Sequence, residues 1–135
     1  NLSRYVDEAR EVGATPVLVT SLSRRLWAPD GVHIASILTD YVEATRSVAK
    51  EKSVPLVDLH ARSIEIYESL GQAGCEEISP QRTDNGGLDR THLNEAGSLL
   101  FGPIVAQELQ KVLPSAGEFL RKEKTTESRC CPVQK

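Results

Sequence analysis

Apolar residues follow two patterns along this chain, and together the patterns predict alternating helices and strands. Helical spacing predicts amphipathic helices at 3–12, 35–52, 61–71 and about Glu95–Leu113. Two continuous runs of apolar and β-branched residues, Val17–Leu22 and Val54–Leu59, are typical of strands buried on both faces of a sheet. We therefore expect the order helix, strand, helix, strand, helix, loop, helix.

The composition changes in two places along the chain. Residues 72–88 are rich in Gly, Pro, Asp and Asn, which predicts a loop after a helix that ends at Gly71. From Ser115 the periodicity is lost, so we expect a folded part at 1–114 and a disordered tail at 115–135. Pro103 lies inside the last predicted helix and cannot donate a backbone hydrogen bond, so a kink is expected there.

The order of elements predicts an α/β fold. Strands separated by amphipathic helices pair in parallel through right-handed crossovers, which indicates a three-layer α/β/α sandwich with a parallel sheet. Two strands are too few for a parallel sheet that is covered on both faces. Because the sequence also starts at Asn1 and contains no methionine, we expect a processed chain or a fragment, with the N-terminal part of the domain missing.

Charge and cysteine usage narrow the classes of partner. A formal net charge of −3 offers no basic surface for nucleic acid or for anionic membranes. No apolar run is long enough to span a membrane, no signal peptide opens the sequence, and the compartment is not indicated. Cys75 falls in the predicted loop and Cys130 and Cys131 in the predicted tail, where we expect exposed free thiols.

The stretch LDRTHLNEAG carries the clearest candidate chemistry. Asp89 precedes His92 by three residues, and Asn94 is placed to cap the last helix. A carboxylate that holds one ring nitrogen of a histidine leaves the other nitrogen free to act as a general base. The same spacing also fits a surface turn with an exposed histidine, so the pattern alone leaves both interpretations open.

Other polar residues have simpler interpretations. Asp58 is placed to accept a hydrogen bond from the amide of Ala61 as a helix cap, which we favour over a metal site that would join Asp58 and His60 to the Asp89–His92 pair. His33 is expected to be solvated in a loop. We expect no metal and no cofactor.

The sequence around the candidate pair resembles a known family. DRTHLNEAG resembles the C-terminal D-x-x-H block of the SGNH (GDSL-type) hydrolases. The segments at 5–27, 54–71 and 89–109 resemble, in the same order, segments of the rhamnogalacturonan acetylesterases, one branch of that family. The resemblance extends over roughly residues 1–113.

The resemblance implies a serine esterase with a three-layer α/β/α fold and no metal, which acts on a carbohydrate ester, with acetyl on a pectic polysaccharide as the expected substrate. His92 would be the general base and Asp89 the residue that orients it. Full-length members of the family are often secreted. The region 1–114 would then be the C-terminal portion of an SGNH hydrolase domain.

The chain departs from the family pattern because G-D-S and G-x-N-D occur nowhere in it. We therefore expect no nucleophile in this chain, with Ser21, Ser23 and Ser63 in turns or caps. Whether the chain is an enzyme stays open. The alternatives are a truncated, inactive product or a sugar-binding pseudo-enzyme, and a sheet that lacks its other strands is expected to self-associate through its exposed edge.

Arg24, Arg25 and Trp27, which follow the first predicted strand, are candidates for substrate binding. Arg24 and Arg25 could recognise galacturonate carboxylates, since a guanidinium fork suits a carboxylate, or they could form a solvated pair in a loop. Trp27 could stack on a sugar ring or pack beneath the loop, and packing is favoured.

Overall fold

The computed structural model of the protein describes residues 1–82, 84 and 86–120. The segment 121–135, which contains Cys130 and Cys131 and most of the predicted tail, lies outside the described residues. The elements along the chain are the helices α1 (Leu2–Glu11), α2 (Thr39–Lys52), α3 (Leu59–Glu77) and α4 (Glu95–Val112), the strands β1 (Leu18–Val19) and β2 (Leu56–Val57), and a short 3-10 helix at Pro114–Glu118.

The two strands pair in parallel, with Leu18 opposite Leu56 and Val19 opposite Val57. Helices and a parallel strand pair make the architecture α/β. Both strands lie inside the predicted runs but have only two residues each. The prediction that β1 is buried on both faces is wrong, because Leu18 is buried while Val19 is 49% exposed. Successive side chains of a strand point to opposite faces, and no described element covers the face of Val19.

A first hydrophobic cluster lies between α1, α2 and the strands. It consists of Val6, Leu18, Ala49 and Val54. Polar contacts hold the two helices together at the edge of this cluster, since Lys52 pairs with Asp7 at 2.7 Å. Val6 of α1 and Ala49 of α2 therefore form one side of the core, whereas the apolar side chains of Tyr5 and Tyr41 on the same helices are exposed.

The third helix differs most from its prediction. Gly71 does interrupt it, with φ 67° and ψ −178°, a conformation that favours glycine. However, the chain returns to helix up to Glu77, so the predicted loop from residue 72 is wrong over its first six residues. The placement of Cys75 in a loop is also wrong, since its side chain is buried in this second part of α3.

A second hydrophobic cluster explains why the helix resumes. Tyr67, Cys75, Ile78 and Phe101 form this cluster, and the rings of Tyr67 and Phe101 lie 5.6 Å apart between centroids. Burying Cys75 and Ile78 against α4 outweighs the loop-like composition around them. Within the described residues, no helix is long and apolar enough to cross a membrane.

Candidate active site

The candidate pair Asp89–His92 lies in a tight turn just before α4. The Asp89 Oδ1 atom accepts hydrogen bonds from the amides of Thr91 at 2.7 Å and His92 at 2.9 Å. The Oδ2 atom lies 2.7 Å from His92 Nδ1. An aspartate that accepts from the amides two and three residues later closes its own turn, so the spacing of the motif builds this geometry locally.

The helix behind the pair begins as predicted. Asn94 Oδ1 accepts from the Gly97 amide at 2.9 Å, which confirms Asn94 as the cap of α4. The side-chain amide of Asn94 also donates to the Glu77 carbonyl at 2.7 Å. This second bond ties the start of α4 to the end of α3, so the turn is anchored on its C-terminal side.

The electrostatics of the turn favour an ionised aspartate. The hydrogen bond from the His92 ring, followed by those from the amides of His92 and Thr91, holds the pKa of Asp89 well below its usual range. A carboxylate at Oδ2 makes Nδ1 the protonated nitrogen of a neutral His92 ring. Nε2 then carries the lone pair that a general base needs.

His92 presents that lone pair to an open groove. Its side chain is 76% exposed, and within the part of the chain that the structure describes Nε2 has no hydrogen-bond partner. The groove has a volume of about 740 Å³ and is lined by Arg24, Leu26, Gln81, Arg82, Asp84, Leu88, Asp89, Arg90, Thr91 and His92. The chain therefore offers a basic nitrogen at a cavity large enough for a sugar residue.

Two of the arginines at the groove are available to a ligand. Arg82 is paired with Asp84, with Nε 2.9 Å from Oδ1. The side chains of Arg24 and Arg90 are exposed, and neither forms an ion pair with a described residue. The structure thus brings Arg24 to the same groove as Asp89 and His92. Arg90 is a further cation there that the sequence analysis missed, although it lies inside the D-x-x-H motif itself.

The other two candidates for substrate binding lie elsewhere. Arg25 is only 1% exposed and its guanidinium contacts protein groups, so it is neither a solvated partner of Arg24 nor placed at the groove. Trp27 is half-buried, packs against the second hydrophobic cluster and bridges to Ile34. Trp27 does not line the groove, in line with the favoured packing interpretation.

A second turn in the chain has the same geometry as the candidate pair. Asp30 Oδ1 accepts from the amides of Val32 at 2.9 Å and His33 at 3.0 Å, and its Oδ2 lies 2.7 Å from His33 Nδ1. The Asp30 carboxylate raises the pKa of His33. The sequence predicted only a solvated histidine here, although DGVH also matches D-x-x-H. The pairing alone therefore does not identify an active site.

Asp58 takes the structural role expected of it. Its Oδ1 accepts from the Ala61 amide at 3.3 Å, which confirms the helix cap, and from the Thr20 hydroxyl at 2.9 Å. Partial burial alone would raise the pKa of Asp58, but hydrogen bonds from Thr20, Arg46 and Ala61 outweigh it and lower that pKa. Among the described residues, no three side chains of metal-ligating type are grouped to hold an ion.

The described serines do not supply a nucleophile at the groove. Ser23 and Ser63 are buried and bonded to each other, with the Ser23 amide donating to Ser63 Oγ at 2.8 Å. One serine does touch a histidine, since Ser36 Oγ lies 3.0 Å from His60 Nε2. That ring is buried, its Nδ1 contacts the Ser21 carbonyl, and neither residue lines the groove, so the pair ties two segments together.

Two curated proteins of Bacillus subtilis strain 168 are similar to this chain. It is 33% identical to the rhamnogalacturonan acetylesterase RhgT over 130 residues, which cover 90% of this chain and 56% of that protein. It is 28% identical to the probable rhamnogalacturonan acetylesterase YesY over 124 residues, which cover 91% of this chain and 55% of that protein. The chain therefore spans about half the length of the curated relatives it matches, in their C-terminal part.

These similarities confirm the resemblance to rhamnogalacturonan acetylesterases that was inferred from the sequence. Comparison with models of protein families gives no match, and no solved structure matches significantly.

Proposed function

Since the chain resembles the C-terminal part of rhamnogalacturonan acetylesterases, we propose that it carries the Asp–His half of the active site of an SGNH-type serine esterase. The substrate proposed is an acetylated pectic polysaccharide, rhamnogalacturonan. Residues 1–114 form the C-terminal portion of the domain, and further parallel strands complete a three-layer sandwich. The observation that carries the proposal is the Asp89–His92 contact, which leaves Nε2 without a described partner at an arginine-lined groove.

In this proposal His92 acts on a serine from a G-D-S block outside the chain. Nε2 takes the proton of the serine hydroxyl while the oxygen attacks the acetyl carbonyl. The imidazolium then gives that proton to the sugar oxygen as the carbon–oxygen bond breaks, leaving an acetyl-serine. Water, deprotonated by the same nitrogen, releases acetate and restores the serine. Asp89 stabilises the imidazolium throughout and keeps Nδ1 protonated.

The charge of the groove supports an anionic substrate. A guanidinium binds a carboxylate through two parallel hydrogen bonds, and an arginine without an ion partner loses no internal contact by doing so. Arg24 lines the groove with the pair and is proposed to contact a galacturonate carboxylate next to the acetylated sugar. Arg90 adds a second positive charge at the same groove.

The coding sequence directly upstream of the Asn1 codon is the first test. An in-frame segment with G-D-S followed by G-x-N-D would support the proposal, whereas a frameshift or stop would favour an inactive product. The chain can then be produced with a serine-bearing N-terminal part, taken from that segment or from the portion of RhgT outside the alignment. We expect acetate release from acetylated rhamnogalacturonan, and a folded protein that binds the polymer without releasing acetate would indicate a sugar-binding pseudo-enzyme.

A further inference from the structure

A buried arginine lies directly beneath the Asp89–His92 turn. Arg25 is 1% exposed and donates from Nε to Ser79 Oγ at 2.8 Å. Its guanidinium carbon lies 5.5 Å from the centroid of the Tyr67 ring. Among the described residues no carboxylate pairs with it, so the positive charge is offset by neutral oxygens and a ring face.

Three carbonyl oxygens of the turn accept hydrogen bonds from this one residue. The backbone amide of Arg25 donates to the Arg90 carbonyl at 2.9 Å. Its Nη2 donates to the Asp89 carbonyl at 2.8 Å and also to the His92 carbonyl. The amides of the turn point to the Asp89 carboxylate, whereas its carbonyls point to Arg25.

The physical requirements explain why arginine stands here. A guanidinium keeps its charge at any physiological pH and presents five donors in a fixed plane, so it can serve several carbonyls at once. A buried cation is costly unless its donors are satisfied. Charge-assisted hydrogen bonds are also stronger than neutral ones, so Arg25 fixes the turn more firmly than a neutral donor would.

We propose that Arg25 is a positioning residue that fixes the Asp89–His92 turn on the loop after β1. The inference deepens the proposed function, because it assigns the support that holds the general base in place. Arg25 does not touch the substrate. It acts through the backbone carbonyls of the two residues that form the pair.

The second D-x-x-H turn provides an internal reference for this role. In that turn the His33 carbonyl accepts from the Ala28 amide at 2.8 Å, and the Gly31 carbonyl accepts from Gln72 Nε2 at 3.0 Å. The equivalent His92 carbonyl accepts from the Arg25 guanidinium, whereas the Arg90 carbonyl accepts from the Arg25 backbone amide. Removing the Arg25 side chain should therefore loosen the Asp89–His92 turn and leave the Asp30–His33 turn unchanged.

The experiment follows the histidine rings of the whole chain with ¹⁵N-labelled histidine. The sequence has three histidines, His33, His60 and His92, and each signal is assigned by its own substitution. Nitrogen chemical shifts of the neutral ring report which nitrogen holds the proton. In Arg25→Met the turn loses the guanidinium hydrogen bonds to the carbonyls of Asp89 and His92, so the Asp89 carboxylate is held less firmly against Nδ1 of the ring. We expect the His92 ratio of Nδ1–H to Nε2–H forms to fall about tenfold. The His33 ratio should not change.

A matched control separates this effect from general loss of arginine. Arg62 is exposed and pairs with Glu65, so Arg62→Met should leave both rings unchanged. The proposal is overturned if Arg25→Met lowers only the melting temperature while His92 keeps its unmodified tautomer ratio. Solid-state spectra of sedimented protein give the same readout if the chain self-associates.

A measurement on the unmodified chain covers the case in which Arg25→Met does not fold. Couplings across hydrogen bonds should join the Arg25 guanidinium nitrogens to the carbonyl carbons of Asp89 and His92. Their absence, with backbone couplings detected within α4, would overturn the proposal. Neither readout uses esterase activity, so a failure of the proposed function and a failure of this inference are distinguishable.

Discussion

Two four-residue segments of this chain place an aspartate carboxylate against a histidine ring in the same way, and their surroundings separate them. Both turns have Oδ2 to Nδ1 distances of 2.7 Å. The turn at Asp89 also lies at a groove with Arg24 and Arg90, which form no ion pair with a described residue, and it rests on the buried Arg25. The geometry of the pair could be predicted from D-x-x-H, since it forms within four residues, but its setting depends on side chains up to 67 residues away in sequence.

Substitution of Arg24 tests the recognition of uronate at the residue scale. The completed esterase is this chain joined to the serine-bearing N-terminal part described above. In it we expect Arg24→Ala to raise KM about tenfold on the acetylated polymer with kcat nearly unchanged, because a charged hydrogen bond to bound substrate is lost. On a methyl-esterified polymer, which lacks the carboxylate charge, KM should not respond to the substitution. An equal rise on both substrates would contradict the assignment.

Asp58 predicts how the stability of the chain depends on pH. The pKa of Asp58 is lower in the folded state than in the unfolded state, where it is about 3.9. The ionised Asp58 therefore stabilises the fold above about pH 3.9, and this stabilisation is lost as the pH falls through the pKa of the folded state. Urea unfolding between pH 6 and pH 3 should show less acid sensitivity for Asp58→Asn than for the unmodified chain. Asp40→Asn, at an exposed position in α2, is the control and should keep the original dependence.

At the scale of elements, the break in α3 shows where sequence patterns stop being sufficient. The interruption of the helix at Gly71 could be predicted, because a glycine after the apolar stripe is a local signal. The return to helix at 72–77 could not be predicted, since GQAGCEE has weak periodicity and its helix depends on burying Cys75 and Ile78 against Tyr67 and Phe101. Tertiary contacts determine the secondary structure of such a segment, and these contacts cannot be predicted from the local sequence.

The backbone conformation of Gly71 gives a test of that break. A Cβ at Gly71 would meet no atom within 4 Å, so alanine fits there without a clash. Because φ at Gly71 is positive, we still expect Gly71→Ala to lower the free energy of unfolding by about 1 kcal/mol. Gly102 in α4 also has free space but no positive φ. Gly102→Ala should therefore stabilise by about 0.5–1 kcal/mol. Urea denaturation compares the two, and a stabilised Gly71→Ala would show that the break is not required.

At the scale of the whole molecule, the exposed strand is the feature that bears on how the chain behaves alone. The α/β class could be predicted from the order of elements, but the short strands and the uncovered face of Val19 could not, since strand length depends on neighbours that pair with it. The chain spans about half the length of the curated relatives it matches, and we propose that strands outside it extend this sheet.

We expect the chain on its own to self-associate through this strand pair. Val19 is 49% exposed on β1, and an open strand edge with apolar side chains favours pairing between molecules. Val19→Lys should shift the sedimentation profile towards monomer. Val12→Lys, at an exposed position after α1, should not. A monomeric unmodified chain that unfolds cooperatively would contradict this expectation.

We propose that His92 serves as the general base, and that its pairing with Asp89 is catalytic because the pair lies at the groove. The most direct measurement is the rate of acetate release by the completed protein carrying either His92→Ala or His33→Ala, two changes in turns of the same geometry. We predict that His92→Ala lowers kcat by on the order of a million-fold and that His33→Ala keeps the unmodified rate. The chain alone should not hydrolyse the ester faster than free imidazole does. A completed enzyme that stays active with His92→Ala would contradict the account.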